Sequence, residues 1–212
     1  MTLEEAIAKI KPLDHNAMEI AQKRWDSIAK PLHSLGKLET LLIQIAGITG
    51  NAEVDLSRRG LIAMCADNGV VEEGVTQTGQ EVTAIVAENF LKYDTSVGVM
   101  CKQNHAEIFP VDMGMVTDTK VRTDHKIAYG TQNMTKGPAM TREQAVKGLE
   151  AGIDMVRELN DKGYRILATG EMGIGNTTTS SAVASVLLKQ PVEEMTGRGA
   201  GLTLSLIHIS EP

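Results

Sequence analysis

A junction in which an apolar strand passes through a glycine-rich turn into a helix leaves a chain few folds to choose from. Residues 170–178, Gly-Glu-Met-Gly-Ile-Gly-Asn-Thr-Thr, sit at such a junction. The run before them, 164–168, is short, largely apolar and closely bounded by glycine, which predicts a buried strand. Thr179, Ser180 and Ser181 then lead into an Ala/Val/Leu-rich helix reaching Leu188, with Pro191 beyond it. An Asn/Thr-rich cap is expected where the turn meets the helix. Glycine lets backbone approach a ligand closely, and the first N–H groups of a helix have no internal partner. With the helix dipole they favour an anion, most often a phosphate. A tight strand-to-helix turn could need its glycines for geometry alone, and the residues leave both readings open. No Lys follows the last glycine, so the stretch is not a P-loop, and its spacing is not that of a dinucleotide fingerprint. Glu171 is the informative member. A carboxylate beside a phosphate cradle is unfavourable unless a ligand hydroxyl, a ring nitrogen or a backbone N–H partners it. Glu171, Met172, Gly173, Gly175, Asn176, Thr177 and Thr178 are the binding candidates here.

The wider chain narrows the function classes. Its 212 residues suffice for one sizeable core, and 42% hydrophobic and 23% charged residues are ordinary for a soluble globular protein. Only 3% are aromatic, against 20 glycines and 11 methionines, which favours aliphatic α/β packing and disfavours a stacking platform for single-stranded nucleic acid. A formal charge of −6 argues against nucleic acid or an anionic membrane as partner. Cys65 and Cys101 have apolar neighbours and no metal-like spacing, so they read as reduced core residues of a cytoplasmic protein. No stretch approaches the roughly 20 apolar residues of a membrane span, and the amphipathic N-terminus lacks the apolar block of a signal peptide.

In chain order, residues 1–47 read as helical, with Asp14 or Asn16 as caps and Ser34 as N-cap of the helix carrying Leu41, Leu42 and Ile45. A first buried strand is expected over 60–66, followed by Asp67, Asn68 and Gly69, then a loop containing Thr78. Ligands collect beyond the carboxyl ends of strands in open α/β sheets, which makes Asp67 a site candidate; a turn residue capping backbone N–H groups is the equal alternative. A helix over 81–91 would turn Val82, Ile85, Val86 and Phe90 inward. Another helical piece covers 94–103, and the strand over 106–111, with Pro110, reads as edge or irregular. Thr141 should cap a helix over 142–160 whose Ala145, Leu149, Ile153, Val156 and Leu159 form a core stripe. A third strand over 163–169 completes the pattern. Strands separated by helices imply an α/β three-layer sandwich with a Rossmann-like parallel sheet, bringing Asp67, Asp112 and Glu171 to one edge. Residues 197–201, Gly-Arg-Gly-Ala-Gly, are either a flexible connector or a second backbone cradle in which Gly199 and Arg198 face an anion.

Four ordered motifs carry a resemblance: Lys30-Pro31 with residues 34–39, Ser-Leu-Gly-Lys-Leu-Glu; residues 67–70, Asp-Asn-Gly-Val, with Glu73-Gly74-Val75; Asn133 with residues 137–140, Gly-Pro-Ala-Met; and residues 170–173 with Asn176-Thr177-Thr178. From about Asp14 to Gly201 the chain resembles the nicotinate-nucleotide–dimethylbenzimidazole phosphoribosyltransferase family. The resemblance implies transfer of phosphoribose from nicotinate mononucleotide to 5,6-dimethylbenzimidazole, releasing nicotinate, in assembly of the cobalamin nucleotide loop. It also implies a homodimer, no metal and no cofactor. The expected division is a helical segment over 1–47, part of a small domain, and a nucleotide-binding α/β domain over 48–202. Glu171 and Gly173 match the segment that lies against the nucleotide, and Thr78 falls where relatives can place a serine near the benzimidazole. Asn68 stands where the family usually has His, so no proton transfer is expected there. Leu32 and His33 replace a Pro-Gly pair. No position matches the family's late general-base glutamate, so no catalytic residue is assigned and the 212-residue chain is expected to turn over poorly. Residues 203–212 look like translated vector or a frame error rather than family sequence. The alternative is a non-catalytic fragment that binds nucleotide or benzimidazole.

Overall fold

A computed structural model describes residues 1–199; residues 200–212, which include the stretch expected to depart from the family, lie outside the described residues. Its contacts divide the chain into two compact units, one over Met1–Ser57 and one from Arg58 onward.

The first unit contains α1 (Leu3–Ala8), α2 (His15–Ser27) and α3 (Lys37–Thr49). Thr2 and Glu5 close a capping box on α1, and the Asp14 carboxylate accepts the Ala17 N–H at 3.0 Å to start α2. Small residues, Ala17, Ala21 and Ala46, are buried where α2 meets α3. Ser34 does not cap α3. The cap position is Gly36, with φ 55°, and the start of the helix is held by Glu39, whose Oε1 accepts the Leu35 N–H at 3.0 Å and the Lys30 ammonium at 2.9 Å. Glu39 is nearly fully buried, and the Lys30 hydrogen bond holds its carboxyl below the usual carboxylate range.

The second unit is built on β1 (Arg59–Ala66), β2 (Ala106–Gly114) and β3 (Ile166–Met172), all parallel in the order β2-β1-β3. Around them stand α4 (Glu81–Lys92), α5 (Ser96–Gln103), α6 (Arg142–Asp161), α7 (Asn176–Leu188) and the short α8 (Val192–Met195). One sheet face packs Ala63 and Cys65 against Ala84, Ala87 and Phe90 of α4. The other packs Ile62 and Val111 against Met155 and Leu159 of α6, with Tyr164 edge-to-face on Phe109 at 5.1 Å. Helices on both faces of a parallel sheet make the expected three layers. Thr141 and Gln144 form the capping box of α6, and Thr95 accepts the Gly98 N–H at 3.0 Å to start α5. Pro110 is tolerated because β2 is an edge strand. Both cysteines are buried, and burial pushes the Cys65 thiol up to about 12. No helix among the described residues is long and apolar enough to cross a membrane.

Three expectations shift. The inner face of α4 is Thr83, Ala84, Ala87 and Phe90, with the expected Val86 half-buried against the same cluster, while Ile85 is exposed; small residues let the helix approach the sheet. The core stripe of α6 is Ala151, Met155 and Leu159, and Leu149 and Val156 face outward. The third strand starts at Ile166 and reaches Met172, because Tyr164 N–H bonds back to Leu159 O and the residue closes α6 instead. Glu171 therefore belongs to the strand end, not the turn. This strand is also not buried: Ile166 is exposed, and its outer edge pairs with no strand among the described residues.

Candidate functional site

Parallel register places the three acidic residues at one end of the sheet. Cys65 of β1 pairs with Asp112 and Met172, and Met64 pairs with Glu171. They are not equivalent. Asp67 is fully buried, and its Oδ2 accepts the Val116 N–H at 2.8 Å. Asp112 is buried too, taking the Met115 N–H at 2.8 Å on Oδ1 and the Lys126 ammonium at 3.1 Å on Oδ2. Both act as caps for the segment that follows β2. Glu171 instead reaches the surface, and partial desolvation of its carboxyl raises it above the ordinary glutamate value.

The turn beyond β3 is held from below. Gly173 touches backbone: a Cβ there would lie 2.2 Å from the Ala66 carbonyl oxygen. Gly175 adopts φ 84°, where L side chains are strained. Between them the Ile174 N–H donates to Thr83 Oγ1 at 3.1 Å, and the Ile174 carbonyl accepts from Asn68 Nδ2 at 3.0 Å. Thr179 Oγ1 lies 3.2 Å from Asn68 Oδ1 and 2.9 Å from the Asn176 carbonyl, and Gln80 Nε2 donates to the Asn68 carbonyl at 3.0 Å. Asn68 thus uses both ends of its amide to fix the turn, a task suited to a neutral donor–acceptor group.

This clamp changes how α7 begins. The expected Asn/Thr cap is absent, because the cap position is Gly175 and it makes no side-chain hydrogen bond. The Asn176 N–H is spent on the Gly173 carbonyl and the Thr179 N–H on Gly175, whereas the Thr177 and Thr178 N–H groups donate to nothing among the described residues. A helix start with two open donors is the arrangement that favours an anion.

Two cavities flank it. One, of about 160 Å³, lies between the loop Val75–Thr78 and Gly173, Gly175, Asn176 and Thr177. The other, of about 360 Å³, is lined by Glu171, Asn176, Thr177 and Thr178 together with Ser180, Ser181 and Thr196. Gly199 lines both. A Cβ on it would lie 2.9 Å from Thr177 Oγ1, so the second glycine stretch closes over the first. The structure thus brings together Glu171, Gly173, Gly175, Asn176, Thr177, Thr178, Thr78 and Gly199. Asp67, Asn68, Met172 and Arg198 line neither cavity: Asp67 caps, Asn68 clamps, and Met172 packs against the α4 side of the core. The clamp residues Thr83, Gln80 and Thr179 escaped the sequence reading. The signal for Thr83 was a hydroxyl on the inner face of an apolar helix, which needs a partner once buried. Among the described residues no group of three His, Cys, Asp or Glu side chains could hold a metal ion.

A family model described as Phosphoribosyltransferase matches residues 10–208, a span that includes part of the stretch 203–212. The chain is 51% identical over 205 residues to the nicotinate-nucleotide–dimethylbenzimidazole phosphoribosyltransferase of Ruminiclostridium cellulolyticum, covering 96% of the chain and 58% of that relative. It is 47% identical to the protein of the same name from Clostridium tetani, covering 95% and 56%. The solved structure of CobT from Thermus thermophilus superposes with a TM-score of 0.85 at 34% identity, covering 92% of this chain and 60% of that one. The chain therefore spans a little over half the length of these relatives. Sequence and architecture agree, and the chain belongs to the phosphoribosyltransferase family.

Proposed function

We propose that the protein transfers phosphoribose from nicotinate mononucleotide to 5,6-dimethylbenzimidazole, giving α-ribazole 5′-phosphate and nicotinate, in assembly of the cobalamin nucleotide loop. The observation that carries this reading is the pair of open Thr177 and Thr178 N–H groups beside Glu171. The phosphate sits on the helix start, where dipole and donors favour its charge. Glu171 accepts a ribose hydroxyl or a ring N–H, the kind of partner that a carboxylate near an anion requires. Thr78, on the wall of the adjoining cavity, faces the azole. The azole nitrogen attacks the ribose C1, the bond from C1 to the nicotinate nitrogen breaks with its electron pair returning to the ring, and the azole's other N–H passes its proton to solvent water. A positioned carboxylate contributes typically about 10²–10⁴-fold to such a proton transfer. Glu171 is the one carboxylate lining the two cavities among the described residues, and this reading assigns it to binding. The 212-residue chain accordingly binds both substrates and turns over poorly.

The same reading assigns residues 1–47 to a small helical domain and 48–202 to the nucleotide-binding domain, and has the protein act as a cytoplasmic homodimer. The net charge of −6 supports a small-molecule substrate over nucleic acid. Thermal unfolding with added ligands, paired with chromatographic detection of α-ribazole phosphate, tests the assignment. Nicotinate mononucleotide should raise the melting temperature with little product formed. Protection by ATP or NAD but not by nicotinate mononucleotide would overturn the substrate, and robust turnover would overturn the claim of weak catalysis.

A further inference from the structure

A third cavity lies on the α6 side of the sheet and shares no lining residue with the two at α7. Its volume is about 220 Å³, and it sits between the ends of β1 and β2 and the first turns of α6, under the segment that returns after β2. Its walls are Met113, Ile127 and Met140, and its depth comes from small residues, among them Ala145 and Gly148 on α6. A Cβ on Gly148 would meet only Ile127 Cδ1, at 3.4 Å, so the helix is not pressed against the roof.

The lining contains no charged side chain. Its polar members include two carboxamides, Gln132 and Gln144. Gln144 spends its Oε1 on the Thr141 N–H at 2.8 Å, and its Nε2 has no partner among the described residues. The Gln132 carboxamide likewise has none among the described residues; its backbone N–H donates to the Ala139 carbonyl at 2.8 Å. The space exceeds the roughly 150 Å³ apolar cavity known to hold a benzene. Thioethers make favourable contacts with aromatic rings, and unpaired amides at the edge select a neutral hydrogen-bonding group.

We infer that this cavity is a second binding site, for a neutral one- or two-ring heteroaromatic molecule lying between Met113, Ile127 and Met140 with its polar edge toward Gln132 and Gln144. It is independent of the phosphoribosyl-transfer reading. No anion belongs here, because no cation lines the space and the start of α6 is already closed by its capping box.

The test is a methyl-resolved NMR titration of the full chain with indole as the neutral probe and benzoate as its anionic counterpart, both with nicotinate mononucleotide present. Indole should shift the Met113, Ile127, Met140 and Ala145 methyls saturably, with a Kd on the order of 1 mM. Benzoate should bind at least about tenfold more weakly, the cost of bringing an unpaired charge into the cavity. Ala145→Leu, which fills the space, should abolish the shifts, and Gly148→Ala should weaken them while keeping the fold, since alanine favours a helix interior. If Ala145→Leu does not fold, Gly148→Ala alone decides. Shifts confined to Thr78 and Thr177, equal binding of benzoate, no saturation at millimolar indole, or unchanged binding in a folded variant would each overturn the site. None of these outcomes bears on nicotinate mononucleotide binding at α7, which the same spectra report separately.

Discussion

The ends of β1 and β2 and the end of β3 belong to one sheet and each carries an acidic residue, yet they use it in opposite ways. After β2 the chain doubles back: Ile127 N–H bonds to Met113 O, and Thr131 N–H to Asp67 O. That return seals Asp67 and Asp112 under backbone they cap. After β3 the chain takes a short clamped turn and enters α7 at once, so the turn itself leaves Glu171 and the Thr177 and Thr178 N–H groups open. The apolar side chains mirror this. The β1 core is closed on both faces, whereas Val186 and Leu187 on α7 are 77% and 75% exposed. A carboxylate at a strand end is thus a cap or a binding group according to what the next segment does.

The contrast can be broken from its sealed side first. Asp112→Ala removes the buried partner of Lys126, leaving it the exposed Asp118 carboxylate and the Tyr129 ring, and takes the acceptor from the buried Met115 N–H, at a cost of about 3–5 kcal/mol in denaturant unfolding. Loss below about 1 kcal/mol would mean the sealed side is not sealed. On the open side, Gly173→Ala drives a Cβ into the Ala66 carbonyl, so the turn must move. It should cost about 1–3 kcal/mol and weaken nicotinate mononucleotide binding, measured by calorimetry. Thr83→Val leaves the Ile174 N–H without its acceptor, for about 1–3 kcal/mol, while Thr83→Ser should restore both stability and binding. A Thr83→Ser variant as damaged as Thr83→Val would assign the effect to packing instead of the hydroxyl.

The smallest effect concerns pH. The Glu171 carboxyl is raised in the folded protein, so the folded state binds its proton more tightly than the unfolded chain does. Its contribution is fully present below the ordinary glutamate value near 4.5 and is lost as pH rises through the raised folded value. Glu171→Gln should therefore be slightly more stable than the parent above that range and indistinguishable below it. A parent that gains stability relative to the variant as pH rises would reverse the sign.

How much of this was legible depended on whether the signal was local. Asp14 and Thr141 were found as caps because a side chain and an N–H three residues on suffice to make one. The run over 60–66 read as buried because β1 is covered on both faces. Ser34 failed because Glu39, paired with Lys30, supplies the acceptor from inside the helix, and nothing local announces that ion pair. Leu149 and Val156 kept helical spacing yet face outward, since Ala151, Met155 and Leu159 offer a second stripe and only the sheet chooses between them. The site divides likewise. The glycines and threonines of residues 170–178 were visible, whereas Thr83 reaches the turn from 91 residues away in sequence and Gln80 reaches it through Asn68.

The measurement closest to the central claim is an amide-resolved titration comparing nicotinate mononucleotide with nicotinate riboside, which lacks the phosphate. The account predicts the largest shifts at the Thr177 and Thr178 N–H groups, with the riboside binding at least about tenfold more weakly, the equivalent of one lost charge-assisted contact. Equal binding of the two ligands, or shifts that leave Thr177 and Thr178 unmoved, would contradict it.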